Sequence, residues 1–135
     1  MLSRLVAIAV AAGCVVGGVY LVAAQRQAAD LQHASALARA GHYVQAARAA
    51  DKVSGASATA ARGVAAEALA RGGGGAPADR AFARAVKADP TDWTLWRDWA
   101  VLLFADGHRA RARHQMEVAY WLNPRIVAPP AFYFR

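Results

Sequence analysis

Small and apolar residues recur at helical spacing through most of the chain, and glycine or proline separates them into blocks. In the second half this pattern predicts two short antiparallel helices, Trp93–Ala105 and His108–Leu122. A break at Asp106-Gly107 separates the two helices, and Asn123-Pro124 ends the second one. The expected structural unit is therefore a helical hairpin.

The same spacing of small and large residues recurs about 34 residues earlier in the chain. The last block has these residues at Trp96, Ala100, Leu103, Gly107, Ala112, Met116, Ala119 and Pro124. The block before it has Arg62, Ala66, Leu69, Gly73, Ala78, Phe82, Ala85 and Pro90, so only the first position changes its character. A weaker third copy, at a slightly shorter offset, has Ala34, Leu37, Gly41, Ala46 and Ala50.

Residues at the ends of the predicted helices agree with this hairpin unit. Gly107 and one glycine of the run 72–75 are expected to adopt the left-handed backbone conformation that ends a first helix. Pro90 and Pro124 prevent each second helix from continuing. The alanines are expected where neighbouring helix backbones approach each other most closely.

A helical hairpin repeated at about 34 residues resembles the tetratricopeptide repeat. The resemblance covers residues 27–124 and implies an all-α stack of about three repeats, at 27–58, 59–92 and 93–124. In that family the first helix of each repeat lines a concave surface on which partner peptides lie. The alternative is an unrelated alanine-rich helical bundle, in which the shared period would be a coincidence.

The resemblance places the candidate partner-binding residues on the first helices of the repeats. Helical phase, taken from the packing alanines, puts the following residues on or near the concave surface: Leu31, Ser35, Arg39, Gly63, Glu67, Arg71, Arg97, Val101 and Phe104. Arg39, Arg71 and Arg97 are expected to form a basic line that Glu67 interrupts, and an acidic segment of a partner protein would complement it. The alternative is that these arginines only keep the protein in solution.

The amino-terminal region, 1–26, differs in composition from the rest of the chain. Leu5 to Ala24 is a run of 20 residues without a charge, which as a helix would be about 30 Å long, the thickness of a bilayer core. The leading interpretation is a transmembrane helix that anchors the protein. The alternatives are a cleaved signal peptide ending at Val22-Ala23-Ala24 and a lipoprotein signal at Ala11-Ala12-Gly13-Cys14.

No helix breaker other than glycine lies between Leu5 and Ala40, which predicts one continuous helix into the first repeat. Because long downstream domains translocate largely regardless of charge, the repeats are expected outside the cytoplasm, on a single-pass protein of a bacterial inner membrane. Gly13 and Gly17 form a small-xxx-small pair that can join two copies into a homodimer, although glycine is common in such segments.

The layout also resembles, more weakly, the repeat-bearing carboxyl-terminal region of O-antigen ligase and polymerase-type membrane proteins, without their catalytic membrane segments. Residues 125–135 form an apolar tail with two prolines. Its aromatic residues, Phe132, Tyr133 and Phe134, are expected to cover the last helix; contact with a partner or a membrane interface, and disorder, are the alternatives.

Charge and residue types argue against chemistry. The net charge is +7, and the densest basic run, His108 to His114, could meet the phosphates of lipid or nucleic acid, or simply form a solvated helix face. The solvated face is the preferred interpretation, and nucleic acid is not expected as a partner. The four histidines lack metal-ligand spacing, and no pair of acidic residues suggests a general acid and base. No enzyme activity, cofactor or metal is therefore expected.

The leading functional hypothesis is a membrane-anchored adaptor or scaffold that binds another protein in a bacterial envelope assembly. The alternatives are a permanent structural subunit of a larger membrane complex, for example in polysaccharide export or secretion, and a secreted repeat protein after signal cleavage. Charge reversal at the three arginines separates an adaptor, which would lose its partner, from a structural subunit, which would keep its complex.

Overall fold

The computed structural model describes the backbone of residues 2–127 and 132, and the side chains of residues 21–127 and 132. This part of the chain consists of helices, turns and loops, with no strand, so the all-α prediction is confirmed. The helices are α1 (Leu2–Arg39), α2 (Tyr43–Ala50), α3 (Ala58–Arg71), α4 (Gly75–Ala88), α5 (Trp93–Ala105) and α6 (Arg109–Leu122), with a 3-10 turn at Gly55–Ser57.

The helices pair in chain order into three hairpins. Helix α1 packs with α2, α3 with α4, and α5 with α6. Between hairpins, α2 packs on α3 and α4 on α5, while the first helices α1, α3 and α5 contact their neighbours in turn. Each hairpin therefore contacts the next along the chain, which is the arrangement of a stacked helical-repeat protein.

Alanines at the repeating positions fill the contacts between helices. Eight of them have no solvent-exposed surface: Ala34, Ala46, Ala66, Ala78, Ala85, Ala100, Ala112 and Ala119. Phe82 and Leu103 are the largest fully buried side chains, and they fill the space between the helices of the second and third hairpins. The first hairpin has a thinner core, because alanines and Val53 make up its buried cluster.

The first helix of every hairpin ends with the same hydrogen bond, from an N–H to the carbonyl five residues earlier. The three bonds run from His42 to Leu37 (2.9 Å), from Gly74 to Leu69 (3.1 Å) and from His108 to Leu103 (2.8 Å). This bond belongs to the Schellman motif, which requires a positive φ at the residue before the donor. Glycine occupies that position each time: Gly41 (+83°), Gly73 (+131°) and Gly107 (+83°). The glycines predicted from the sequence are thus confirmed.

The second helices of the last two hairpins also end alike. Helix α4 ends two residues before Pro90, and α6 ends two residues before Pro124, as predicted. Helix α5 then begins after Asp92, whose carboxylate accepts a hydrogen bond from the Thr94 N–H at 2.9 Å. This side chain satisfies one of the donors that a helix start leaves without an internal partner.

A polar contact ties the second hairpin to the third. Asp79 on α4 accepts a hydrogen bond from the indole N–H of Trp99 on α5 at 2.7 Å. The Arg111 guanidinium on α6 donates to both oxygens of the same carboxylate, at 2.9 and 3.1 Å. These bonds, chiefly those from Arg111, lower the pKa of Asp79, although its partial burial acts in the opposite direction.

The predicted transmembrane helix requires a correction. Across residues 21–127 and 132, no helix combines the length and the apolar character needed to cross a membrane. This contradicts the fold prediction in its first element. The described side chains of α1 include Arg26, Asp30 and Arg39, which interrupt any apolar stretch there. The side chains of residues 5–20, with Cys14 and the Gly13 and Gly17 pair, lie outside the described part. The expected continuous backbone helix is confirmed, since α1 spans 38 residues.

One buried polar side chain interrupts the apolar core at the end of the stack. Gln115 on α6 is 8% exposed, and its Oε1 has no hydrogen-bond partner among the described residues. The equivalent position of the preceding repeat, on α4, is Ala81, which is 2% exposed. The repeat therefore places an amide in the last hairpin where the second hairpin has a methyl group.

Replacing Gln115 with leucine is expected to stabilise the protein by about 1 kcal/mol, because it removes a buried acceptor that lacks a donor. Urea unfolding monitored by circular dichroism measures the change. The matched reverse change, Ala81→Gln, puts an amide at the equivalent apolar position and is expected to destabilise the protein. Equal effects of both substitutions would contradict this interpretation.

Gly107→Ala is expected to lower the free energy of unfolding by about 1 kcal/mol, because an alanine there must adopt a left-handed conformation. Apart from Gly107 and its two chain neighbours, no described atom lies within 4 Å of the position that the new Cβ would take, so the cost belongs to the backbone and not to a clash. Gly107→Asn should cost less, since asparagine tolerates this conformation better. Urea unfolding of both variants tests the order glycine, asparagine, alanine.

Candidate partner-binding groove

The first helices of the three hairpins line two clefts on one side of the stack. A cleft of about 210 Å³ between α1 and α3 is lined by Ser35, Ala38, Arg39, Val64, Glu67, Ala68 and Arg71. A larger cleft of about 420 Å³ is lined by Glu67, Ala70, Arg71, Phe82, Arg97, Asp98, Val101, Leu102 and Ala105. Since Glu67 and Arg71 belong to both, the two clefts form one continuous depression, termed the groove below.

Helical spacing explains why these residues share the groove. Ser35 and Arg39, Glu67 and Arg71, and Arg97 and Val101 are each four residues apart, which places each pair on one face of its helix. The adjacent faces carry the fully buried alanines that hold the helices together. The packing of the stack thus orients the groove residues, and the structure brings together six of the nine residues predicted on or near the concave surface.

Carboxylates balance most of the positive charge of the groove. Arg97 contacts the Asp98 carboxylate oxygen through Nη2 at 2.7 Å and Nε at 2.8 Å. The Arg71 guanidinium lies 3.8 Å from Glu67. The sequence predicted the interruption by Glu67 but missed Asp98, because residues adjacent in a helix point about 100° apart. The long Arg97 side chain nevertheless reaches the Asp98 carboxylate.

The arginines consequently differ in how strongly they are engaged. Arg97 makes two short contacts to one oxygen, and its side chain is 37% exposed. Arg71 is 60% exposed, and its contact to Glu67 is long. Among the described residues, Arg39 has no ion pair, and it donates a long hydrogen bond of 3.4 Å to the Ser35 carbonyl. The positive charge available to a ligand is therefore concentrated at Arg39 and Arg71.

Glu67 occupies the centre of the groove and has a perturbed acidity. Its partial burial raises its pKa above the ordinary value, and the nearby negative charge of Asp98 adds to this effect. Arg71 and Arg97 act in the opposite direction without cancelling the increase. Mild acid therefore neutralises Glu67 more readily than an ordinary glutamate, which makes the centre of the groove more positive.

Apolar side chains form part of the larger cleft. Phe82 is almost completely buried, and Leu102 is 7% exposed. Val101 is 44% exposed and is accessible from the cleft. The cleft thus offers an apolar contact close to charged groups, as protein-binding sites commonly do.

Three residues predicted near the concave surface lie elsewhere. Phe104 packs on Phe132, with ring centroids 5.1 Å apart, and does not line the groove. It follows Val101 by three positions, so the two side chains point in directions about 60° apart on the helix. Gly63 is buried, and a Cβ there would lie 3.2 Å from the Leu95 side chain. This glycine therefore allows α3 and α5 to approach each other closely. Leu31 packs against the core of the first hairpin.

Of the three tail residues expected to make contacts, the structure describes Phe132. Its contact with Phe104 agrees with the expectation that the tail covers the last hairpin. Tyr133 and Phe134 lie outside the described residues.

The basic run from His108 to His114 does not form a single charged surface. The guanidinium of Arg109 lies over the Phe104 ring at 5.9 Å, and Arg111 is held by Asp79. Arg113 lines a different cavity, beside α6. Because the three arginines point to three places around the buried Ala112, the run is not a concentrated phosphate-binding patch.

Comparison with protein-family models, with curated proteins and with solved structures finds no match for this chain. Within the described residues, no three His, Cys, Asp or Glu side chains come together in a way that could hold a metal ion. The resemblances to the tetratricopeptide repeat and to the ligase-type proteins therefore stay predictions. The repeat-like all-α architecture is a property of the structure itself.

Glu67→Gln is expected to change how stability depends on pH. The native state binds a proton at Glu67 more tightly than the unfolded chain does, so the wild type loses stability as pH rises from 4.5 through the raised pKa. The stability of the glutamine variant relative to the wild type should therefore increase over this pH range and then level off. Chemical unfolding between pH 4 and pH 7 measures it.

Asp79→Asn provides a control, because its effect on stability is expected to depend on pH in the opposite direction. The lowered pKa of Asp79 means that its contribution is present above the ordinary value of 3.8 and is lost as pH falls through the folded-state value. The asparagine variant should therefore be less stable than the wild type at neutral pH and approach it in acid. Chemical unfolding extended below pH 3.8 measures this change. A trend with pH in the same direction as that of Glu67→Gln would contradict the assignment for Glu67.

Proposed function

We propose that this protein is a tetratricopeptide-like scaffold that binds an extended, acidic segment of another protein in the groove. The observation that carries the proposal is the continuous groove across the first helices of all three hairpins, with Arg39 and Arg71 available in it. A concave surface built from successive repeats is the usual binding surface of stacked helical proteins.

The arrangement of side chains suggests what such a segment contains. A carboxylate of the ligand would meet Arg39 and Arg71, which have only long contacts within the protein. An apolar side chain of the ligand would then contact Val101 in the larger cleft. Glu67 and Asp98 disfavour an uninterrupted row of acidic residues, because like charges repel at close range. The proposed ligand therefore combines acidic and apolar residues.

The test uses a fluorescein-labelled decapeptide of alternating aspartate and leucine, with an alternating lysine and leucine decapeptide for comparison. Fluorescence anisotropy is expected to show binding of the aspartate peptide and not of the lysine peptide. Arg39→Glu and Arg71→Glu should each weaken binding about tenfold or more, as loss and reversal of a charge-assisted contact would. Val101→Asp should also weaken it.

Arg84→Glu is the matched control, because it makes the same charge change at an exposed position of α4 outside the groove. It should leave the affinity within about twofold of the wild type, since distant surface charges are screened by salt. An equal loss in the control would show non-specific charge attraction and contradict the proposal, as would the absence of binding.

The same variants separate this function from that of a permanent structural subunit. A scaffold that recruits its partner through the groove loses it when Arg39, Arg71 and Arg97 are reversed together. A structural subunit retains its complex, because the groove is not part of that interface. Crosslinking followed by quantitative pull-down from the native host distinguishes the two outcomes.

A further inference from the structure

Helix α6 ends the stack and leaves aromatic and aliphatic side chains uncovered. Trp121 is 84% exposed, Tyr120 is 53% exposed and Leu122 is 41% exposed. A cavity of about 400 Å³ lies beside them, lined by Arg113, Met116, Glu117, Tyr120, Trp121, Pro124 and Phe132. These seven residues are termed the end face below. Contiguous exposed apolar side chains of this kind commonly mark an interaction site.

The second hairpin shows what covers such a face inside the stack. Val86 on α4 occupies the repeat position equivalent to Tyr120, and it is 5% exposed, whereas Tyr120 is 53% exposed. Val86 belongs to the core cluster that α5 completes by packing on α4. The Tyr120 part of the end face therefore continues an interface between hairpins, on a side of α6 where the described residues form no further helix.

The charges of the end face are complementary to each other. Arg113 and Glu117 lie one helical turn apart and both line the cavity. Neither belongs to the three ion pairs found among the described residues. If a second α6 approached in antiparallel orientation, Arg113 of each copy would meet Glu117 of the other. A surface that carries both members of such a pair is self-complementary about a two-fold axis.

We propose that the end face is an interface between two copies of this chain, in which the two α6 helices pack antiparallel. Two Arg113–Glu117 contacts set the register, while Tyr120 and Trp121 supply the buried area. Aromatic residues and methionine are enriched in such interfaces, which agrees with this composition. The interface is separate from the groove and does not depend on the proposed peptide binding. It also differs from the Gly13 and Gly17 pair, which lies outside the described side chains.

Sedimentation velocity of the full chain over a range of concentrations tests the proposal. The wild type is expected to form a dimer. Arg113→Glu and Glu117→Arg should each weaken dimerisation about tenfold or more, because each change puts like charges opposite each other. Trp121→Ala should weaken it as well. Circular dichroism of each variant establishes that the helices remain folded.

Restored association is the decisive outcome. An equimolar mixture of the Arg113→Glu and Glu117→Arg variants should form a heterodimer, and the double variant should recover the homodimer. Arg84→Glu, on α4, should dimerise like the wild type. Any association through the amino-terminal residues is the same in all these variants. It therefore cannot explain why the mixture and the double variant regain association when the single variants lose it. A monomeric wild type, a loss without rescue, or an end face that binds only a different protein would overturn the proposal.

Discussion

Two helix backbones approach closely only where the side chains between them are small. In this protein that condition is met at intervals of 32 and 34 residues, by Ala34, Ala66 and Ala100 on the three first helices, which have no exposed surface. Because each interval is about one hairpin long, each hairpin meets the next through such an alanine. The close packing of the first helices then places residues from α1, α3 and α5 along one groove. The position of the groove residues is thus a consequence of the alanine contacts.

Alanine permits close packing but buries little apolar area, so the stack depends on larger side chains for much of its stability. These are unevenly distributed. Phe82, Leu103 and the tryptophans of α5 lie in the second and third hairpins, where Asp79 adds its polar contact. The first hairpin relies on alanines and Val53. In a repeat array, stability is approximately the sum of local terms, so the Arg39 end of the groove rests on a junction filled by small side chains.

Local chemistry explains why some features were predictable from the sequence. The bounds of α5 and the glycine turns follow from residues that act within their own hairpin, such as Gly107. The Arg97–Asp98 contact depends on a side-chain conformation, and the position of Phe104 depends on its contact with Phe132, so neither could be predicted from helical phase alone. The transmembrane prediction rested on the hydropathy of one segment, and the described side chains of α1 do not provide such a span.

The mixture of positive and negative charges in the groove is expected to affect which ligands bind more than how tightly they bind. A uniformly basic surface attracts any acidic polymer, whereas a surface with carboxylates at defined points also repels ligands whose charges fall in the wrong places. The Asp98 carboxylate is already paired with the Arg97 guanidinium, so a ligand carboxylate must displace Asp98 in order to bind Arg97. Arg71 is easier to reach, because its contact with Glu67 is long and exposed. When acid neutralises Glu67, the repulsion between Glu67 and a ligand carboxylate at the centre of the groove weakens. In the proposed complex, the order of charges along the ligand, and not its net charge, would therefore decide how well it fits.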